Sequence, residues 1–147
     1  MSKRLSFKGL IPDGLQQVIR LRTLKGKKGY RIKKFQIIGQ NPGTEVREFL
    51  AQVYSKDQTG VMTAVIDFSA GDLMGVAYMA QTSSVDSKPT TILFDNEVTN
   101  QDIYVTATDV SGNAGSTNFY LELEVIDLTP TQATQLTLKS LREVSSR

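Results

Sequence analysis

Apolar and polar residues alternate with a period of two over much of this chain, the pattern of half-buried β-strands. Leu15, Gln17, Ile19 and Leu21 alternate with Gln16, Val18, Arg20 and Arg22, which puts Arg20 and Arg22 on the outer face of a strand. Lys25-Gly-Lys-Lys-Gly29 has turn chemistry, and a second run follows to Ile38, so residues 15–38 are expected to form a β-hairpin. Tyr30 and Ile32 share one face of the second run, whereas Phe35 and Ile37 fall on the other. That phase slip at Lys33-Lys34 predicts a β-bulge, or a strand buried partly on both sides.

The cleanest alternation lies further on. Leu121, Leu123 and Val125 alternate with Glu122 and Glu124, predicting one core face and one wet face. With Asp102–Thr108 this segment, Asn118–Ile126, reads as a second hairpin joined by the turn-rich stretch 109–117. Val61–Phe68, Leu73–Ala80 and Thr90–Phe94 read as further strands, and residues 4–9 as a short strand or an arm. Glu45–Tyr54 fits a helical stripe (Val46, Phe49, Leu50, Val53) and also a strand (Phe49, Ala51, Val53); its β surroundings favour the strand. Turns are expected at 11–14, 40–43, 56–60 and 69–72, and an exposed polar loop at 81–89. In residues 131–144, Ala133, Leu136, Leu141 and Val144 recur at near-helical spacing, predicting a terminal amphipathic helix, with an extended arm as the alternative.

Eight or nine strands without βαβ alternation predict an all-β antiparallel β-sandwich of about eight strands, of which a jelly roll is one version. A length of 147 residues suits one such domain, spanning 1–128 with a short N-terminal arm, followed by a C-terminal helix or arm over 129–147. Met1-Ser-Lys-Arg is followed by no apolar run of secretory length, and no run approaches a membrane span, so an intracellular or particle-bound setting is expected.

Composition narrows the chemistry. There is no Cys, so thiolate catalysis and Cys-based zinc binding are out of reach; there is no His, the commonest general base and metal ligand. A Ser nucleophile would lack its usual base, and the many carboxylates fall mainly in turns or on outer strand faces, so no catalytic residues, cofactor or metal are expected. Asp109-Val-Ser-Gly-Asn113 faintly resembles a calcium loop, but it lacks the regular acidic spacing and the closing Glu. The plainer expectation is a Gly/Asn turn that contains an Asp. With no Trp, a carbohydrate-binding platform is disfavoured.

Charge is distributed unevenly. Residues 1–40 hold eleven bases and one acid, net +10; residues 41–128 hold three bases and thirteen acids, net −10; the tail adds +2. The overall +2 therefore conceals a dipolar chain, which bears on partners rather than on fold. The basic segment 20–34, comprising Arg20, Arg22, Lys25, Lys27, Lys28, Arg31, Lys33 and Lys34, is the candidate interaction patch. Nucleic-acid readers interleave exposed aromatics with cations, and here only Tyr30 and Phe35 are interspersed. A protein partner is thus favoured over nucleic acid, with the Glu122/Glu124 face of an adjacent copy as a possible complement. A solvated turn that blunts a sheet edge is the alternative.

Gly29-Tyr-Arg-Ile-Lys-Lys-Phe-Gln-Ile-Ile, followed by Asn41-Pro-Gly43, and Phe94–Thr106, followed by Asn118-Phe-Tyr-Leu-Glu-Leu-Glu, resemble segments of small virion structural proteins of marine bacteriophages. The resemblance runs over most of the chain and its motifs are structural. It implies a minor capsid or decoration role in the virion, assembled in the host cytoplasm, with itself or other virion proteins as partners. It supplies no functional residues.

Overall fold

The computed structural model describes residues 3–21, 27–42, 46–58, 64–81, 90–94 and 97–145. Within them run β1 (Lys3–Ile11), β2 (Leu15–Ile19), β3 (Lys28–Gly39), β4 (Arg47–Tyr54), β5 (Leu73–Gln81), β6 (Thr90–Leu93), β7 (Ile103–Asp109), β8 (Thr117–Asp127) and α1 (Pro130–Ser145). The strands form two antiparallel sheets, ordered β1-β8-β3 and β2-β7-β4-β5-β6, packed as an all-β sandwich. Pairing is nested: β1 lies on β8, β2 on β7, and β4 on β5. The Thr91 hydroxyl of β6 donates to the Phe35 carbonyl of β3 at 3.2 Å, tying the two sheets together along one side.

Alternation explains the core. Phe119, Leu121 and Leu123 of β8 and Ile32, Phe35 and Ile37 of β3 point inward against Phe49, Ala51 and Val53 of β4 and Ile103, Val105 and Ala107 of β7. The expected bulge is present: the β3–β8 register shifts between Ile32 and Lys34, so Ile32 and Phe35 both reach the core while Lys33 and Lys34 are both exposed.

Neither expected hairpin forms. β2 and β3 lie in opposite sheets, as do β7 and β8. A period-two pattern fixes which face of a strand is buried but carries no information about its neighbour, and in both cases the next strand in sequence joins the opposite sheet. The N-terminal segment takes the strand alternative, and all of β1 pairs with β8 from Lys3↔Val125 to Ile11↔Thr117.

Residues 64–68 of the expected strand 61–68 are irregular, and 61–63 lie outside the described residues. β4 is already flanked by β7 and β5, and β5 by β6, so the sheet offers this segment no edge near its chain neighbours. It lies instead over the outer face of the five-stranded sheet. There Leu50, Leu73 and Val76 form a second small core with Tyr54, Ala70 and Phe94, and Gln52 donates to the Val65 carbonyl. The polar loop expected at 81–89 falls, beyond Gln81, outside the described residues.

The tail is helical, as its spacing predicts. Thr129 caps it: its hydroxyl accepts from the Gln132 amide at 3.2 Å, while the Gln132 side chain accepts from the Thr129 amide at 3.0 Å. This reciprocal capping box is completed by Pro130 at the first helical position. Buried Asn100 holds the helix to the sandwich, donating to the Ala133 carbonyl and the Thr137 hydroxyl, and Lys139 pairs with Glu97 at 2.9 Å.

Candidate functional site

The outer face of the three-stranded sheet gathers part of the basic segment. Cross-strand register sets its rows: Arg4–Glu124–Arg31, then Ser6–Glu122–Lys34, then Lys8–Tyr120–Gln36, then Leu10–Asn118–Ile38. Lys33, set loose by the bulge, is exposed beside Lys34. Five cations and two carboxylates thus share one face.

The two carboxylates are engaged within their own chain. Arg4 reaches Glu122 at 2.6 Å, and Arg31 pairs with its cross-strand neighbour Glu124. The Arg4 guanidinium, aided by the Tyr120 hydroxyl and by nearby Lys34, holds the Glu122 carboxyl below the usual carboxylate range against the opposing effect of burial. Glu122 and Glu124 are therefore the internal complement of β1 and β3. The acidic strand β8 thus runs between two basic ones.

The other members of the patch separate. Lys28 pairs with Asp127 at the end of the same sheet, and Lys27 precedes it, exposed. Arg20 follows β2 in the other sheet, 3.8 Å from Asp102. Arg22 and Lys25 lie outside the described residues. Tyr30 is buried rather than available for stacking. Arg4 and Lys8 were missed as members of the face, although the alternation Arg4, Ser6, Lys8 in a strand signals it. Tyr120 was missed too; it is 36% exposed and stands in the row between Lys8 and Gln36.

Lys8 and Lys33 make no hydrogen bond or ion pair among the described residues, so their charges are free for a partner. Beside them a groove of about 570 Å³ is lined by Gln36, Ile37, Ile38, Thr91, Asn118 and Tyr120, among others. The face therefore combines an apolar trough with an adjacent positive bank.

The turn after β7 behaves as its plainer reading predicts. The Asp109 carboxylate has no exposed surface. Its Oδ1 accepts from the Glu48 amide (3.1 Å), the Ser111 amide (3.0 Å) and the Ser111 hydroxyl (2.5 Å); its Oδ2 accepts from the Gly115 amide (2.8 Å) and lies 3.6 Å from Arg47 Nε. Burial pushes this carboxyl upward, but the Ser111 hydroxyl and the three amides outweigh it and hold it below the usual carboxylate range. The lone pairs a cation would need are occupied by the protein itself. Among the described residues, no cluster of three or more His, Cys, Asp or Glu side chains is grouped to hold a metal. No helix among them is long and apolar enough to cross a membrane.

No protein-family model matches this chain, and no match to it is found among curated proteins.

Proposed function

We propose that the chain is a non-enzymatic structural component of a virus particle, a capsid or capsid-associated protein that works through protein–protein contact. The observation that carries this reading is the outer face of the three-stranded sheet, where Lys8, Lys33 and Lys34 stand beside a groove flanked by exposed Ile38, Leu10 and Tyr120. A face with an apolar centre and positive charge at its rim has the anatomy of a protein interface. The pairing of first with last strand and of second with seventh is shared with jelly rolls, a fold common in viral shells, although β6 here pairs with β5 and not with β3, and it supports the same reading. So do the resemblance to bacteriophage virion proteins and a composition that lacks His and Cys.

The test is quantitative mass spectrometry of purified virus particles whose genome encodes the chain. Many copies per particle are expected; absence from purified particles refutes the assignment.

One observation favours a second reading, nucleic-acid binding: Tyr120 is an exposed aromatic set among cations. Two carboxylates on the same face weaken it, since each repels phosphate. It predicts oligonucleotide binding whose affinity falls steeply with salt; no binding at low salt eliminates it.

A further inference from the structure

We propose that the groove on the outer face of the three-stranded sheet is a socket for the Val65–Phe68 loop of a second copy of this chain, joining copies head to tail. The inference rests on reading that face as an assembly surface, and it names the partner.

The socket has two parts. Ile38 and Leu10, 54% and 42% exposed, flank Asn118 across the strands, and Tyr120 stands one row along. Lys8 shares Tyr120's row, and Lys34, with Lys33 beside it, lies in the next. An occupant must therefore carry apolar side chains next to a negative charge.

This chain displays such a segment on its other side. Val65, Ile66 and Phe68 are 67%, 45% and 55% exposed, with Asp67 between them. The loop is braced. Phe68 packs edge-on against Phe94 with centroids 5.1 Å apart, the Ala70 amide donates to the Asp67 carbonyl, and the Asp67 carboxylate accepts from the Ser69 amide and hydroxyl. Three large apolar side chains held out in water by a structured loop call for a partner. Apolar side chains around one carboxylate have the chemistry that a trough with a positive bank beside it would take.

Geometry makes the contact intermolecular. The loop is held over the outer side of the five-stranded sheet by Gln52 and Phe94, whereas the socket opens over β3 and β8 of the three-stranded sheet with Thr91 of β6 at its margin. The braced loop is not among the residues lining its own socket, so the contact we propose is between copies; each has one of each element, which makes it heterologous and lets it propagate into rings or filaments. Pairing socket with socket would instead oppose Lys8, Lys33 and Lys34 with their own images.

The test is sedimentation velocity over a concentration series at low salt. Lys8→Glu/Lys33→Glu damages the socket only, and Val65→Ser/Ile66→Ser damages the loop only; all four positions are exposed, so thermal melts should match the parent. Each variant is expected to weaken self-association about tenfold or more. A one-to-one mixture of the two retains a single intact socket–loop pair, so it should form dimers and nothing larger. A parent protein that stays monomeric throughout overturns the inference, as does a mixture that stays monomeric. If the socket variant fails to associate while the loop variant associates like the parent, the face is an assembly surface with another occupant; the inference falls and the proposed function stands. If single-stranded DNA binds the parent and not the socket variant, without self-association, the face belongs to nucleic acid and the inference likewise falls.

Discussion

Asp109→Ala should be among the most damaging single substitutions in the chain. The side chain is the acceptor at a corner where β7 ends and β4 begins. It satisfies the amides of Glu48, Ser111 and Gly115 and neutralises Arg47, whose side chain is only 13% exposed. Ala removes every acceptor at once. Ser111 can turn to water, but the buried Gly115 amide cannot. Removing one partner of a buried ion pair costs about 3–5 kcal/mol, and an orphaned buried donor costs about 1–3 kcal/mol within that loss. Against a typical stability of about 5–15 kcal/mol this is a large fraction, and at about 2–4 °C per kcal/mol it lowers Tm by about 6–20 °C.

Asp109→Asn separates charge from shape. It keeps the Oδ1 acceptor but sets an amide NH₂ against the Gly115 N–H and Arg47, so it should melt between the parent and the Ala variant. The pH dependence is a second readout. A carboxyl whose folded pKa is depressed contributes stability above its unfolded pKa, near 4, and loses that contribution as pH falls through the folded value. The parent should therefore lose stability on acidification below about pH 4, and Asp109→Ala should show a shallower acid limb. Thermal melts from pH 7 to pH 2 measure both. An Ala variant melting within 2 °C of the parent, with an unchanged acid limb, would refute the anchoring role (about 1 kcal/mol or less).

Thr129→Ala removes one arm of the capping box and should cost the helix about 1 kcal/mol; the helix is pinned at few points, so far-UV circular dichroism should lose helical signal before the sandwich melts. Ala114 sits at φ 54° in an exposed turn, so Ala114→Gly, normally unfavourable, should raise stability by about 0.5–1 kcal/mol in urea titration. Leu121→Ala empties a fully buried site between the sheets and should cost about 2–5 kcal/mol by the same titration. Gly115→Ala would drive a methyl into the Arg47 side chain and against Asp109 Oδ2, and should melt below the parent despite the exposed turn around it.

The sandwich was legible because its faces are. Leu121, Leu123 and Val125 against Glu122 and Glu124, and the phase slip at Lys33-Lys34, each report a local property that tertiary structure had no reason to override. Strand partners were not legible. Ile19 and Ile32 contact one core from opposite sheets, and nothing in their spacing distinguishes that from a hairpin. The segment 64–68 reads as a strand by composition, yet a strand needs an edge to pair with, and edge availability is a property of the whole sheet. The capping signal at Thr129-Pro-Thr-Gln132 was present in the sequence and unused. Part of the site was readable as charge; Arg4, Lys8 and Tyr120 joined it only once β1 and β8 were paired.

That pairing also explains the segregation of charge along the chain. Arg4, Arg20, Lys28 and Arg31, all from the basic first forty residues, meet Glu122, Asp102, Asp127 and Glu124, all from beyond residue 100. The −10 body and +10 arm are thus partly one arrangement, an acidic β8 between basic β1 and β3, and opposite charges across neighbouring strands favour the pairing observed. If Glu122 and Glu124 instead served a neighbouring molecule, reversing them would block assembly and leave the monomer's melting unchanged. The intramolecular arrangement makes the contrary prediction. Glu122→Lys/Glu124→Lys creates three adjacent strands of one sign, lowers Tm at low ionic strength, and recovers part of the loss in 0.5 M salt, as screening at about a 4 Å Debye length demands. Adding Arg4→Glu and Arg31→Glu restores alternation of sign across the sheet and should return Tm toward the parent without salt. A reversal that left Tm untouched at low salt would mean that these pairs contribute nothing to the register of β8, and the charge pattern would then need a different cause.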